Sequence, residues 1–94
     1  LVCGELKLSI GKHRVAFQGQ PVELTRKEFE LLQYLMENKG LVMTRNQILC
    51  HVWGYDFDGE TRTVDVHVRT LRQKLMEAGE LIETVRGVGY RISA

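Results

Sequence analysis

Nothing in this chain spells a bound metal or redox chemistry. It has two cysteines, Cys3 and Cys50, and neither belongs to a C-x-x-C spacing. The pair Cys50-His51 and the isolated His13 and His67 supply no second ligand pair at usable distance. No metal and no cofactor is therefore expected, and both thiols are expected to be reduced. Long apolar runs are missing too, and no charged head precedes an apolar stretch near the start, so neither a membrane-spanning helix nor a leader is expected. A surplus of charge is also lacking. Thirteen Lys and Arg face twelve Asp and Glu for a net charge of +1, and that balance alone does not announce a polyanionic partner. Finally, the chain's His, Cys and acids do not cluster by sequence as a nucleophile with its base or as a carboxylate pair in a pocket, so hydrolysis or group transfer is not expected and the chain is not read as an enzyme.

What is present fits one small domain over residues 1–94. Forty-four per cent apolar residues in 94 are enough for a single modest core. The chain opens at Leu1-Val2-Cys3 without a methionine and is read as a fragment whose upstream partner domain has been removed. Residues 3–24 alternate with the period of strands. Leu6, Leu8 and Ile10 alternate with polar residues, as do Val15 and Phe17 after the Gly11-Lys12-His13 turn and Val22 and Leu24 after Gly19-Gln20-Pro21. The prediction is an antiparallel meander with Leu6, Leu8, Val15, Phe17, Val22 and Leu24 toward helices and Lys7, Arg14 and Glu23 in water.

The period then changes to that of helices. Thr25-Arg26-Lys27-Glu28 is a capping box: the threonine hydroxyl meets an exposed N–H at the helix start and the glutamate reaches back. Phe29, Leu32, Leu35 and Met36 give the helix its apolar face, and Asn38-Lys39-Gly40 is a stop signal. Leu41-Val42-Met43 allows one strand-like step. Thr44-Arg45-Asn46-Gln47 then repeats the capping pattern for a second helix that buries Ile48, Leu49 and Val52 and ends between Trp53 and Gly54.

A third helix, Thr61 to Met76, carries the most informative pattern. Val64, Val68, Leu71 and Leu75 fall on one stripe for burial. At about one hundred degrees per residue, Arg62, Val66, Arg69, Thr70 and Gln73 lie opposite, with Thr63, His67 and Lys74 on one shoulder and Arg72 on the other. Four of the five charges are positive, and Asp65 is the one acid, beside Arg62, Arg69 and Arg72. A solvated face usually mixes signs to form i,i+4 pairs. Guanidiniums, an amide, a hydroxyl and one outward valine suited to a thymine methyl are instead the tools of a helix that reads the major groove. A basic face that meets only water is the competing reading, and context has to decide between them.

The context comes from both sides of that helix. Before it, Tyr55-Asp56-Phe57-Asp58-Gly59-Glu60 places three acids next to the basic helix, an asymmetry that suggests two different partners. The loop has too few oxygen ligands for calcium, which leaves a solvated loop or a protein-docking surface. After it, Glu77-Ala78-Gly79-Glu80 reads as a loose connection to a closing hairpin. One strand carries Ile82, Thr84 and Val85, the other Tyr90, Arg91 and Ile92, with Arg86-Gly87-Val88-Gly89 at the tip. Two glycines let such a tip turn and approach another molecule, and an arginine there suits a narrow, negative minor groove.

The order of meander, three helices and hairpin, with the strings ELTRKEFELLQYL, VMTRNQIL, VWG, RTVDVHVRTLRQKL and ETVRGVGYR, resembles the effector domain of OmpR/PhoB-type response regulators over nearly the whole chain. The resemblance implies an α+β winged helix-turn-helix fold, with helix 61–76 in the major groove and the hairpin as wing. It further implies phosphate contacts from Trp53, Arg62, Thr63, His67, Arg72, Lys74, Thr84 and Tyr90, which position without reading sequence. The implied base readers are Val66, Arg69, Thr70 and Gln73, with Arg86 in the minor groove. Thr70 departs from the pattern, because several relatives carry arginine there. The resemblance also implies that Asp56 and Asp58 contact RNA polymerase, and that two copies bind adjacent direct repeats of promoter DNA. Its remaining implications are a receiver domain and a histidine kinase outside this chain, and a cytoplasmic location. A protein-only adaptor on the same fold is the alternative, since fold does not fix function.

Overall fold

A computed structural model describes residues 1–93. The N-terminal sheet has four antiparallel strands in sequence order: β1 (Val2–Cys3), β2 (Leu6–Ser9), β3 (Arg14–Phe17) and β4 (Gln20–Val22). Its register places Leu6 opposite Phe17, and Leu8 opposite Val15, which in turn faces Val22. Period-2 alternation therefore puts one row on one face. Leu6, Leu8 and Val15 are buried, Phe17, Val22 and Leu24 pack partly buried against the same core, and Lys7, Arg14 and Glu23 are exposed. The short β1, absent from the expected meander, adds Cys3 to the core.

Both capping boxes form. At the start of α1 (Arg26–Glu37) the Glu28 amide donates to the Thr25 hydroxyl at 3.2 Å, and the Glu28 carboxylate accepts from the Thr25 amide at 2.8 Å. Thr44 and Gln47 do the same for α2 (Arg45–Trp53), satisfying donors that a helix start leaves open. α1 buries Phe29, Leu32, Leu35 and Met36 as expected, and Leu31 with them. α2 buries Ile48, Leu49 and Val52 and stops at Gly54, whose φ of 100° explains the residue type. α3 (Arg62–Leu75) buries Val64, Val68, Leu71 and Leu75, the four predicted positions.

Two expectations about the C-terminal part are corrected. Glu77–Glu80, expected as a loose connection, lie within a 3-10 helix, Met76–Leu81, with Ala78 and Gly79 buried; that region packs back onto α3. The closing hairpin, β6 (Ile82–Val85) and β7 (Gly89–Ile92), is part of a three-stranded sheet. β7 lies in the centre, and β5 (Met43–Thr44) joins it on the far side through Met43–Tyr90 and Thr44–Gly89 pairs. Gly89 thus serves packing rather than tip freedom: a Cβ there would run into the backbone of Met43. Gly87, with φ of 76°, makes the turn. Buried side chains from both sheets and all three helices close one core.

Candidate nucleic-acid interface

The buried stripe of α3 leaves an outward ridge of Arg62, Val66, Arg69 and Gln73, all exposed, with Val66 51 % accessible. Their spacing of four, three and four residues aligns them along one line of the helix surface. At the tip of the neighbouring hairpin Arg86, Gly87 and Val88 are exposed as well. The structure therefore presents an exposed ridge of two arginines, a valine and a glutamine on α3 and, at the hairpin tip, an exposed arginine.

The flanks of α3 are occupied by the protein itself. On the side facing α1, the Thr70 hydroxyl donates to Glu28 Oε2 at 2.6 Å, and Lys74 Nζ donates to Glu28 Oε1 at 2.7 Å. Thr70, placed opposite the buried stripe by the helical wheel, sits instead half-buried against α1. Burial would raise the Glu28 pKa, but donors from Lys74, Thr70 and Thr25 outweigh it and hold the carboxyl at about 2. One carboxylate thus caps α1 and ties α3 to it.

On the same flank His67 meets α2. Its ring lies edge-on to Trp53 at 4.7 Å between centroids, and its Nδ1 is 2.8 Å from the Thr63 carbonyl, an acceptor to which that nitrogen must donate. Trp53 is half-buried, with the Lys27 ammonium 5.8 Å from its ring centre. Thr63 is half-buried one turn before His67.

The opposite flank meets the wing sheet. Asp65, expected beside Arg62, Arg69 and Arg72, pairs instead with Arg45 Nε of α2 at 2.8 Å and accepts the hydroxyl proton of Tyr90 from β7. Burial works against the charged form of Asp65, yet these two donors hold its pKa below the usual carboxylate range; burial and the adjacent Asp65 push the Tyr90 phenol up. Arg72 donates to the Ile82 carbonyl from Nε at 3.1 Å and from Nη2 at 2.7 Å, and to the Thr84 hydroxyl at 2.8 Å. Thr70, expected to contact a base, and Arg72, Lys74, Thr84 and Tyr90, expected to contact phosphates, all give or take hydrogen bonds within the folded domain. The pairing of Arg45 with Asp65 and the second role of Glu28 were not foreseen: neither leaves a local signal in the sequence beyond the capping box.

The loop 55–60 meets these networks through Phe57 while its acids face water. Asp56, Asp58 and Glu60 are exposed, Tyr55 is 91 % accessible, and Phe57 leans on Trp53 at 6.2 Å between ring centres. Among the described residues no group of three or more His, Cys, Asp or Glu is arranged to hold a metal ion, and no helix is long and apolar enough to cross a membrane.

The family model described as "Transcriptional regulatory protein, C terminal" matches residues 19–92. The chain belongs to this family. Within this transcriptional-regulator family, the sensory transduction protein RegX3 of Mycolicibacterium smegmatis is 45 % identical over 95 residues, which cover 98 % of this chain and 42 % of RegX3. The chain thus spans less than half the length of that relative. Among solved structures, the response regulator DrrB of Thermotoga maritima, described as an OmpR/PhoB homolog, superposes with a TM-score of 0.90 at 31 % identity, covering 100 % of this chain and 44 % of DrrB. The DNA-binding domain of Klebsiella pneumoniae RstA, solved in complex with the RstA box, superposes with a TM-score of 0.88 at 33 % identity over 99 % of this chain and 95 % of that one. The fold is that of the winged-helix domains of OmpR/PhoB-type regulators, with β6–β7 as the wing.

Proposed function

We propose that this domain binds double-stranded DNA in a sequence-specific manner, with α3 in the major groove and Arg86 of the wing in the adjacent minor groove, as the output module of a two-component transcriptional regulator. The observation that carries the reading is the exposed ridge Arg62–Val66–Arg69–Gln73 on a helix whose other faces are all engaged by the protein. Val66, Arg69 and Gln73 read base edges: guanidinium to guanine, amide to adenine, methyl groups to thymine methyl. Arg62, Thr63, His67 and Trp53 hold phosphates at the margin of the groove, and these contacts set register without sequence information. Arg72, Lys74, Thr84 and Tyr90 reach phosphate only by exchanging the protein partners they already have, and Thr70 reads a base only by releasing Glu28.

The acidic loop serves a different partner. Asp56 and Asp58 repel DNA and dock RNA polymerase, while a receiver domain and its histidine kinase supply the signal from outside this chain, in the cytoplasm. Two copies on direct repeats add affinity that one small module lacks.

The test is selection of bound sites from random duplexes, followed by titration of the selected duplex at two salt concentrations. The log–log salt slope should be clearly negative, by about −0.9 for each phosphate that a cation such as Arg62 neutralises. Arg69→Ala and Val66→Ala should each relax the selected motif at one position, costing about 1–3 kcal/mol there, whereas Arg62→Ala should weaken selected and random duplexes alike. Absence of salt-sensitive binding would favour the protein-only adaptor and end this reading.

A further inference from the structure

We propose that Asp65 and Tyr90 are positioning residues that set the wing against the recognition helix before DNA is met, so that reading by α3 and reading by Arg86 are one coupled event. An acid on a DNA-facing helix repels phosphates, and here its charge is consumed internally. The Asp65 carboxylate takes the Arg45 guanidinium of α2 at 2.8 Å and the Tyr90 hydroxyl of β7. Tyr90 is only 5 % exposed, and its ring has a guanidinium on each of two neighbours, Arg45 at 5.7 Å and Arg72 at 5.6 Å from the ring centre, both within cation–π range.

The second tie lies one strand away. Arg72, two turns along α3 from Asp65, holds β6 through the Ile82 carbonyl and the Thr84 hydroxyl. Thr84 is the register partner of Tyr90, so the two wing strands are fastened to the same helix at the same level. From the third side, Met43 of β5 pairs with Tyr90. A strand tied at two neighbouring points to one helix has lost the rotation that would let its tip swing. Arg86 lies two residues beyond Thr84, about 7 Å along the strand, so a tilt of about 10° at the tie moves the tip by about 1 Å, a displacement of the size that spoils a positioned contact.

The inference rests on the DNA-binding reading above, and a double-mutant cycle separates the two. Wild type, Arg86→Ala, Tyr90→Phe and the double variant are titrated with the selected duplex carrying an A·T flank. Tyr90→Phe keeps the ring between its guanidiniums and removes only the hydroxyl that Asp65 holds. Arg86→Ala should weaken binding about tenfold in the wild-type background. In the Tyr90→Phe background the same change should cost less than about threefold, because a wing without its tie no longer delivers Arg86. Hydrogen exchange of the β6 and β7 amides in the free domain should be faster in Tyr90→Phe. If instead the two losses multiply and the wing amides exchange as in wild type, Tyr90 only packs or holds a phosphate, and the coupling is overturned. If Arg86→Ala binds as wild type does, the wing reading itself fails and takes the coupling with it. Should Tyr90→Phe not fold, Asp65→Ala removes the same hydroxyl acceptor from the helix side; because it also frees Arg45 and removes a charge, the cost of Arg86→Ala in that background and the wing exchange decide, not the affinity of the single variant.

Discussion

The two sheets of this domain are held in place by different forces. The N-terminal sheet is fastened by apolar burial: Leu6, Leu8 and Val15 are 0–4 % exposed and its polar residues face water. The wing sheet also gives Ile82 and Ile92 to the core, but its seating on α3 is directional, made by Asp65 with Tyr90 and by Arg72 with Ile82 and Thr84. The far side of α3 is likewise fastened by one carboxylate, Glu28. Apolar contacts are non-directional and tolerate sliding; hydrogen bonds with charged partners fix angle and distance. A scaffold needs the first kind, and a surface that must stay polar to meet a charged polymer while holding its shape needs the second.

The largest way to break that contrast is through the scaffold. Leu8→Ala in β2 should destabilise the domain by about 2–5 kcal/mol, the transfer loss plus the cavity left by a side chain only 2 % exposed. The affinity of the folded fraction for DNA should not change, since β2 touches neither α3's ridge nor the wing tip. Urea denaturation gives the first quantity, and DNA titration corrected for the folded fraction gives the second. A loss of affinity beyond the unfolded fraction would show that the two regions are not separable.

Glu28→Gln breaks the directional side with a smaller effect and a diagnostic pH dependence. The folded carboxyl titrates at about 2 against an ordinary 4.5, so its stabilisation is fully present above pH 4.5 and is lost as pH falls toward 2. The difference corresponds to about 3 kcal/mol at neutral pH, as an upper figure. Wild type and Glu28→Gln should therefore differ most in denaturation midpoint near pH 7 and converge as pH falls from 4.5 toward 2. A gap that stays constant over that range would show that Lys74 and Thr70 draw no net stability from the charged form.

How legible each region was follows from the range of its forces. Both capping boxes, the buried stripe Val64, Val68, Leu71 and Leu75, and the outward positions Arg62, Val66, Arg69 and Gln73 are local patterns, and all were readable from periodicity. Partnerships across elements were not. Glu28 finds Thr70 and Lys74 across 42 and 46 residues, and Asp65 finds Arg45 and Tyr90 across 20 and 25. A helical wheel reports which way a side chain points but not what stands there, so Thr70 was assigned to the groove and Asp65 to its own helix neighbours. A strand-like step was visible at Leu41–Met43, and β5 falls at its end, but its pairing with β7 was not, because two residues, Met43 and Thr44, carry no period that names a partner. Gly89 looked like a flexible tip because the close approach of β5 is a tertiary fact.

The smallest expected effect on the fold sharpens the comparison by testing acids that the protein leaves alone. Glu28 and Asp65 are each engaged by two other side chains, whereas Asp56 and Asp58 are fully on the surface of the loop before α3. Neutralising an unpaired surface acid typically moves stability by no more than about 0.5 kcal/mol, so the double variant Asp56→Asn, Asp58→Asn should melt like wild type. Its affinity for DNA should be equal or slightly higher, because two charges that repel phosphates near the basic helix have gone. If these acids dock RNA polymerase, transcription from a promoter carrying the selected site should fall even though occupancy of the site does not. Melting, DNA titration and reconstituted transcription on one preparation distinguish the cases: normal transcript yield at full occupancy would return the loop to a solvated surface, and a fall in melting temperature would mean that the acids contribute to the fold as Glu28 and Asp65 do.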